Sequence, residues 1–182
     1  MKHVVGVAEA KTSAQAGDIL VTHALGTCLG IAMHDPQAGV GALLHIMMPT
    51  STVNPGKARL NPHMFVDTSI PAAIDVLEQA GASRRRLVVS VAGGIVHSGE
   101  KDDFFVIGKK NVIALRKVFW QLGMLIDAKD VGGDLPRTMY LEVGAGRVWL
   151  TERGRQWDLS PGSTGAPNTQ STVNKPLGLR AG

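Results

Sequence analysis

The spacing of hydrophobic and polar positions changes several times along the chain, and each change predicts an element. Residues 3–10 (HVVGVAEA) alternate loosely and predict one strand, followed by a turn over 11–17. Residues 18–23 (DILVTH) predict a second strand. Two apolar runs come next, 28–33 (CLGIAM) and 40–48 (VGALLHIMM). Between them lies HDPQAG, where Asp35-Pro36 and Gly39 are turn signals. That pattern predicts an antiparallel hairpin. Residues 50–63 mix Pro, Gly and Asn with no period and predict a surface loop. From 68 to 81 the apolar residues Ile70, Ala73, Ile74, Leu77 and Ala80 recur at helical spacing. Thr68 and Ser69 offer capping hydroxyls there, Pro71 suits a first turn, and Gly81 is a stop.

The second half repeats this grammar. Arg84–Arg86 is a short basic run, and LVVSVAG at 87–93 predicts a buried strand. A second helix is predicted from Ile107 to Leu122. Its apolar face is Val112, Leu115, Phe119 and Leu122, and Lys109, Lys110, Arg116 and Lys117 make a solvated basic remainder. Residues 124–131 predict a strand. Residues 137–143 and 147–151 predict a hairpin around Gly144-Ala145-Gly146. From Trp157 onward Ser, Gly, Pro, Thr and Asn dominate, which predicts a flexible tail. The elements add up to an α/β class: a single domain over 1–157 and a tail over 158–182. Its core is layered and sheet-rich (α/β/β-like), with two helices on one face. Strand order does not follow from the pattern.

Composition narrows this picture. The 182 residues are 44% hydrophobic, enough for one sizeable core. A single cysteine excludes an internal disulfide and argues for a reducing compartment. MKHVVGVAEAK lacks the pattern of a secretion signal, and no run is long enough to span a bilayer. The expected location is cytoplasmic, without membrane insertion. A net charge of +4 is too small to imply nucleic acid, but it favours acidic partners.

The chemistry concentrates between Thr22 and Pro49. A cysteine attacks as thiolate and needs a base to take its proton. Cys28 has no lysine or arginine in its own segment, but the hairpin brings His45 across from it. Gly26 and Thr27 precede Cys28, and their backbone N–H groups are candidates for an oxyanion hole. Thr22 ends an apolar run, and its hydroxyl is a candidate to orient the imidazole. A lone cysteine is more often a small buried hydrophobe, and a histidine in an apolar run is more often a hydrogen-bonded core residue. Two other sites are excluded. Gly94 and Gly99 approximate a phosphate loop, but the acidic Glu100 stands where its lysine belongs. The six histidines form no close ligand pair, so no metal and no cofactor is expected.

The string T-x-x-L-G-T-C followed by D-P and H-I-M-M-P resembles the signature of the CheD family of chemoreceptor glutamine deamidases. The matching positions are Thr22, Leu25, Gly26, Cys28, His45, Met47 and Pro49. Thr27 stands where the family has serine, and Ala24 where it has glycine. Further matches are FVDTSI at 65–70, VAGGI at 91–95, Ile107-Gly108 with Asn111, DVGG at 130–133 with Arg137, and Gly146-Arg147-Val148. The likeness spans roughly residues 1–151. The later glycines and Asn111 are read as turn and cap residues. The resemblance implies Cys28, His45 and Thr22 as active-site residues. It implies hydrolysis of selected glutamine side chains on methyl-accepting chemotaxis receptors; methyl-ester hydrolysis at the same sites needs the same steps with a better leaving group and is an expected side activity. It also implies a CheC-type phosphatase as a second partner. The rival reading is a non-catalytic adaptor that binds the same partners.

Overall fold

Strands expose alternate side chains to opposite faces, and that alternation decides how this chain is layered. The computed structural model describes residues 1–96, 103–159 and 161. One sheet has the order β1 (Lys2–Val4), β3 (Ile19–Leu25), β8 (Arg137–Glu142), β9 (Arg147–Glu152), β10 (Arg155–Asp158). The other has the order β2 (Glu9–Ser13), β5 (Val40–Ile46), β4 (Leu29–Asp35), β6 (Val88–Gly93), β7 (Ala128–Val131). Every residue of β4 and β5 is buried, so both faces of this second sheet are covered. Leu29, Ile31, Met33, Val40, Ala42, Leu44 and Ile46 point to one side. There they pack against α2 (Val66–Gln79) and α3 (Asp103–Gln121). Ala32 and Leu43 point to the other side and meet Leu20, Leu25, Met139, Leu141 and Leu150 of the first sheet. The result is three layers, helices on sheet on sheet, as the sequence predicts. Each fully buried aliphatic side chain contributes about 1.5–3 kcal/mol, so the two-sided middle sheet dominates the stability.

The hairpin turn is held by one carboxylate. Asp35 is fully buried and accepts the N–H groups of Gln37 (2.9 Å), Ala38 (3.2 Å) and Ser83 (2.8 Å). Arg86 closes the shell at 2.7 Å. The basic run after α2 therefore includes a structural counter-ion. Gly39 takes a left-handed φ of 63° and returns the chain into β5.

Several expectations from the sequence need correction. The expected strand over 3–10 is two strands in different sheets, broken where Ala8 adopts φ 59°. Loose alternation carried the reading across that break. The expected turn over 11–17 begins with β2, which pairs antiparallel with β5. The expected loop over 50–63 contains α1 (Pro55–Leu60), capped by the Asn54 side chain, and short 3₁₀ turns on either side. α2 starts at Val66 rather than 68, so Pro71 lies inside the helix and Thr68 donates to the Pro62 carbonyl. Ala80 is exposed. The strand expected from 124 begins at Ala128. The chain does not leave the fold at Trp157: β10 runs to Asp158, Trp157 Nε1 donates to Asp130 (3.0 Å), and Leu159 is buried. Most of the rejected phosphate-loop segment lies outside the described residues. Among the described residues no helix is long and apolar enough to cross a membrane.

One departure from the family pattern acquires a physical meaning here. Ala24 sits in a bulge of β3 with φ 56°. A residue with a Cβ pays about 1–2 kcal/mol there, and glycine returns part of that as backbone entropy. Ala24→Gly should therefore raise the unfolding free energy by about 0.5–1 kcal/mol in urea titrations. An unchanged or lower midpoint would show that the bulge carries no strain.

Candidate active site

His45 and Thr22 come from different sheets and meet in the layer between them. Both follow from strand alternation: His45 shares the face of Leu43, and Thr22 shares the face of Leu20. The Thr22 hydroxyl lies 2.7 Å from His45 Nδ1 and 2.9 Å from the Val5 carbonyl. Thr22 is fully buried and His45 is 2% exposed. A hydroxyl has one proton, and a carbonyl can only accept. The proton of Thr22 therefore goes to Val5, and Oγ1 accepts from His45 Nδ1–H. That fixes the neutral tautomer with its lone pair on Nε2. Nε2 is itself buried and has no hydrogen-bond partner among the described residues. Burial pulls the His45 pKa below its usual value, which keeps this lone pair available.

Cys28 sits in the bend between β3 and β4, half-buried. Gly30 stands directly opposite His45 in the β4–β5 register, and Cys28 precedes Gly30 by two residues. Cys28 thus lies at the His45 end of the hairpin, one residue before β4 begins. No hydrogen bond joins Cys28 to His45 in this conformation. Burial pushes the Cys28 thiol up, and its own backbone N–H only partly opposes this. Both shifts favour the uncharged thiol and the uncharged imidazole. The structure brings together Thr22 and His45, and it sets Cys28 at the same end of the hairpin without bonding it.

The cysteine bend is pinned through its carbonyls. Gly26 accepts from Ile95 N–H (2.9 Å), Cys28 accepts from Gly94 N–H (2.8 Å), and Thr27 accepts from the Asn111 amide (2.9 Å). In a trans peptide the N–H points opposite to the carbonyl. Anchoring the Gly26 and Thr27 carbonyls therefore turns the Thr27 and Cys28 N–H groups the other way. Gly93 makes this approach possible. A Cβ there would lie 2.2 Å from the Cys28 carbonyl oxygen, and its φ is 103°. Among the described residues no group of three His, Cys, Asp or Glu side chains could hold a metal ion.

Comparison with known proteins identifies the family of this fold. The family model described as "CheD chemotactic sensory transduction" matches residues 47–152. A protein of Solibacter usitatus named "Probable chemoreceptor glutamine deamidase CheD" is 44% identical over 158 residues, covering 87% of this chain and 93% of its own. A Syntrophus aciditrophicus protein named "Probable chemoreceptor glutamine deamidase CheD 1" is 40% identical over 151 residues, 83% of this chain and 94% of its own. The chain belongs to the CheD family. The matched family model begins after His45, so it bears on the scaffold rather than on Thr22, Cys28 and His45.

In this CheD chain one site residue was misjudged from sequence. Asn111, read as a cap or turn residue, lies mid-helix and fully buried. Its amide nitrogen donates to both the Thr27 and the Met47 carbonyls, at 2.9 and 3.1 Å. It ties the cysteine bend to the exit of the histidine strand. The available signal was its place on the buried stripe of α3, beside Ala114, Leu115 and Val118. A polar residue there must have partners.

Two measurements bear on this geometry. Asn111→Ala orphans two carbonyls, both only half-covered, and should cost about 2 kcal/mol in urea titrations. Alkylation of the bend's thiol should also speed up at fixed pH as the bend loosens. In the wild type, iodoacetamide should react with Cys28 slowly at neutral pH, and the rate should keep climbing with pH without levelling off below 9.0, the ordinary value from which burial raises it. A fast plateau at neutral pH would mean a preformed thiolate–imidazolium pair.

Proposed function

We propose that this protein hydrolyses the side-chain amide of selected glutamines on methyl-accepting chemotaxis receptors, releasing glutamate and ammonia. The observation that carries the reading is the Thr22–His45 bond, which leaves Nε2 as a buried lone pair beside a cysteine bend. The names of the relatives, chemoreceptor glutamine deamidases, supply the substrate class. Burial favours the uncharged thiol and imidazole, so proton transfer accompanies attack. His45 Nε2 takes the thiol proton as Cys28 Sγ bonds to the amide carbon. The Thr27 and Cys28 N–H groups, with Gly26 allowing the bend, hold the developing oxyanion. His45 returns the proton to nitrogen, ammonia leaves, and a thioester remains. The free Nε2 then takes a proton from water, the hydroxide attacks the thioester, and the thiol regains its proton as glutamate departs. Thr22 works through His45, holding Nδ1–H so that the reacting nitrogen is always the bare one.

The decisive experiment incubates the protein with a receptor cytoplasmic fragment and reads glutamine masses. Each conversion adds the mass difference between amide and acid. Cys28→Ala should abolish it. His45→Ala should lower kcat by about 10²–10⁴. Thr22→Ser should retain most activity, whereas Thr22→Val should lose kcat with little change in KM. Equal masses with wild type and Cys28→Ala would sink the enzymatic reading and leave an adaptor.

A further inference from the structure

The outward face of α3 has an unusual composition. Ile113 and Trp120 are one heptad apart, about 10 Å along the axis, and are 57% and 81% exposed. Lys109, Lys110, Arg116 and Lys117 surround them, all exposed. From 106 to 121 the helix has no acidic residue. Among the described residues none of the four cations has an ion-pair partner. An ordinary solvated helix face mixes both signs of charge and does not carry a tryptophan in water. Tryptophan ringed by arginine and lysine is the composition of an interface centre, where an aromatic anchor fills a pocket and the rim charges pair.

From this face we propose that α3 is the docking surface for the substrate protein, and that the docked surface is acidic and helical. The inference rests on the deamidase reading above. Four observations select this occupant. A second copy set symmetrically on the same face would bring four cations against four. The chain's own residues 162–182 contain no Asp or Glu, so they offer no complementary charge. A lipid surface demands a broad apolar face, and the apolar face of this helix is already spent on the core through Ala114, Leu115, Val118 and Phe119. The heptad spacing of the two exposed apolar residues matches a second helix lying alongside. The location suits delivery as well. The same helix turns Asn111 inward to the carbonyl of Thr27, next to Cys28. Asn111 lies on the side of α3 opposite Ile113 and Trp120, so a helix docked on the outward face lies about one helix width from the cysteine bend.

The test measures binding of a receptor cytoplasmic fragment to the full-length chain, made Cys28→Ala so that the fragment is not consumed. Binding should weaken as salt rises. Trp120→Ala should raise Kd about 10- to 30-fold. The combined K109E, K110E, R116E and K117E variant should raise it at least as much and remove the salt dependence. All five positions are exposed, so melting temperatures should stay within a few degrees. If Trp120→Ala alone lowers the melting temperature, the charge reversals decide. Affinity that ignores both variants overturns the proposal, as does a wild type that fails to bind. Trp120-dependent binding to phosphatidylglycerol vesicles without binding to the fragment also overturns it, in favour of a membrane face. Turnover is scored separately with an intact Cys28. Docking without deamidation sinks only the enzymatic reading, and deamidation indifferent to α3 sinks only the docking.

Discussion

A single hydrogen bond between sheets organises this molecule's chemistry. Thr22 and His45 sit on facing sheets, at 2.7 Å, in a layer from which water is excluded. In water such a bond is worth little net. In this buried layer, removal of the Thr22 hydroxyl would orphan both the imidazole N–H and the Val5 carbonyl, each costing about 1–3 kcal/mol. Its functional content is larger than its energy. The threonine has one proton and two neighbours, so the tautomer of the ring is decided before any substrate arrives. An uncharged partner suits this site. It orients the imidazole without raising its basicity, which agrees with burial favouring the uncharged thiol and imidazole.

The remaining features serve to put a sulfur near that ring. The sheets pack closely at Gly30, where a Cβ would meet a Leu25 methyl at 2.5 Å. The cysteine bend docks against the end of β6, where Gly93 admits its carbonyl. Asn111 then ties the bend to the segment that follows His45. These contacts come from four separate parts of the chain. The pairings are long-range, so the arrangement exists only once both sheets and α3 have assembled.

The sequence made the layers legible because β4 and β5 are continuous apolar runs, which only a doubly covered sheet explains. It made His45 and Thr22 legible because each is a polar residue inside an apolar stretch. It did not reveal the break at Ala8, since a left-handed alanine has no compositional mark. It hid α1, because Pro55, Gly56 and Asn54 look like loop chemistry when a six-residue helix uses them as its start. It misread Asn111 because a single asparagine on a helix is usually a surface or cap residue, and only the packed structure shows which two carbonyls it serves. Asp158 and Leu159 continue the fold past the expected boundary at 157, since Leu159 is a single apolar residue whose burial depends on packing against distant parts of the chain.

The position of Val5 extends the site further than its three side chains suggest. The carbonyl that captures the threonine proton belongs to a segment just past β1, a three-residue edge strand held to β3 on one side. Short edge strands open more readily than core strands. Were that strand to peel away, the hydroxyl would be free to donate towards Nδ1, and the imidazole could carry its hydrogen on the opposite nitrogen. The thiol would then face a donor instead of a base, and reactivity would be switched off from a distance, with the sulfur and the ring both still in place.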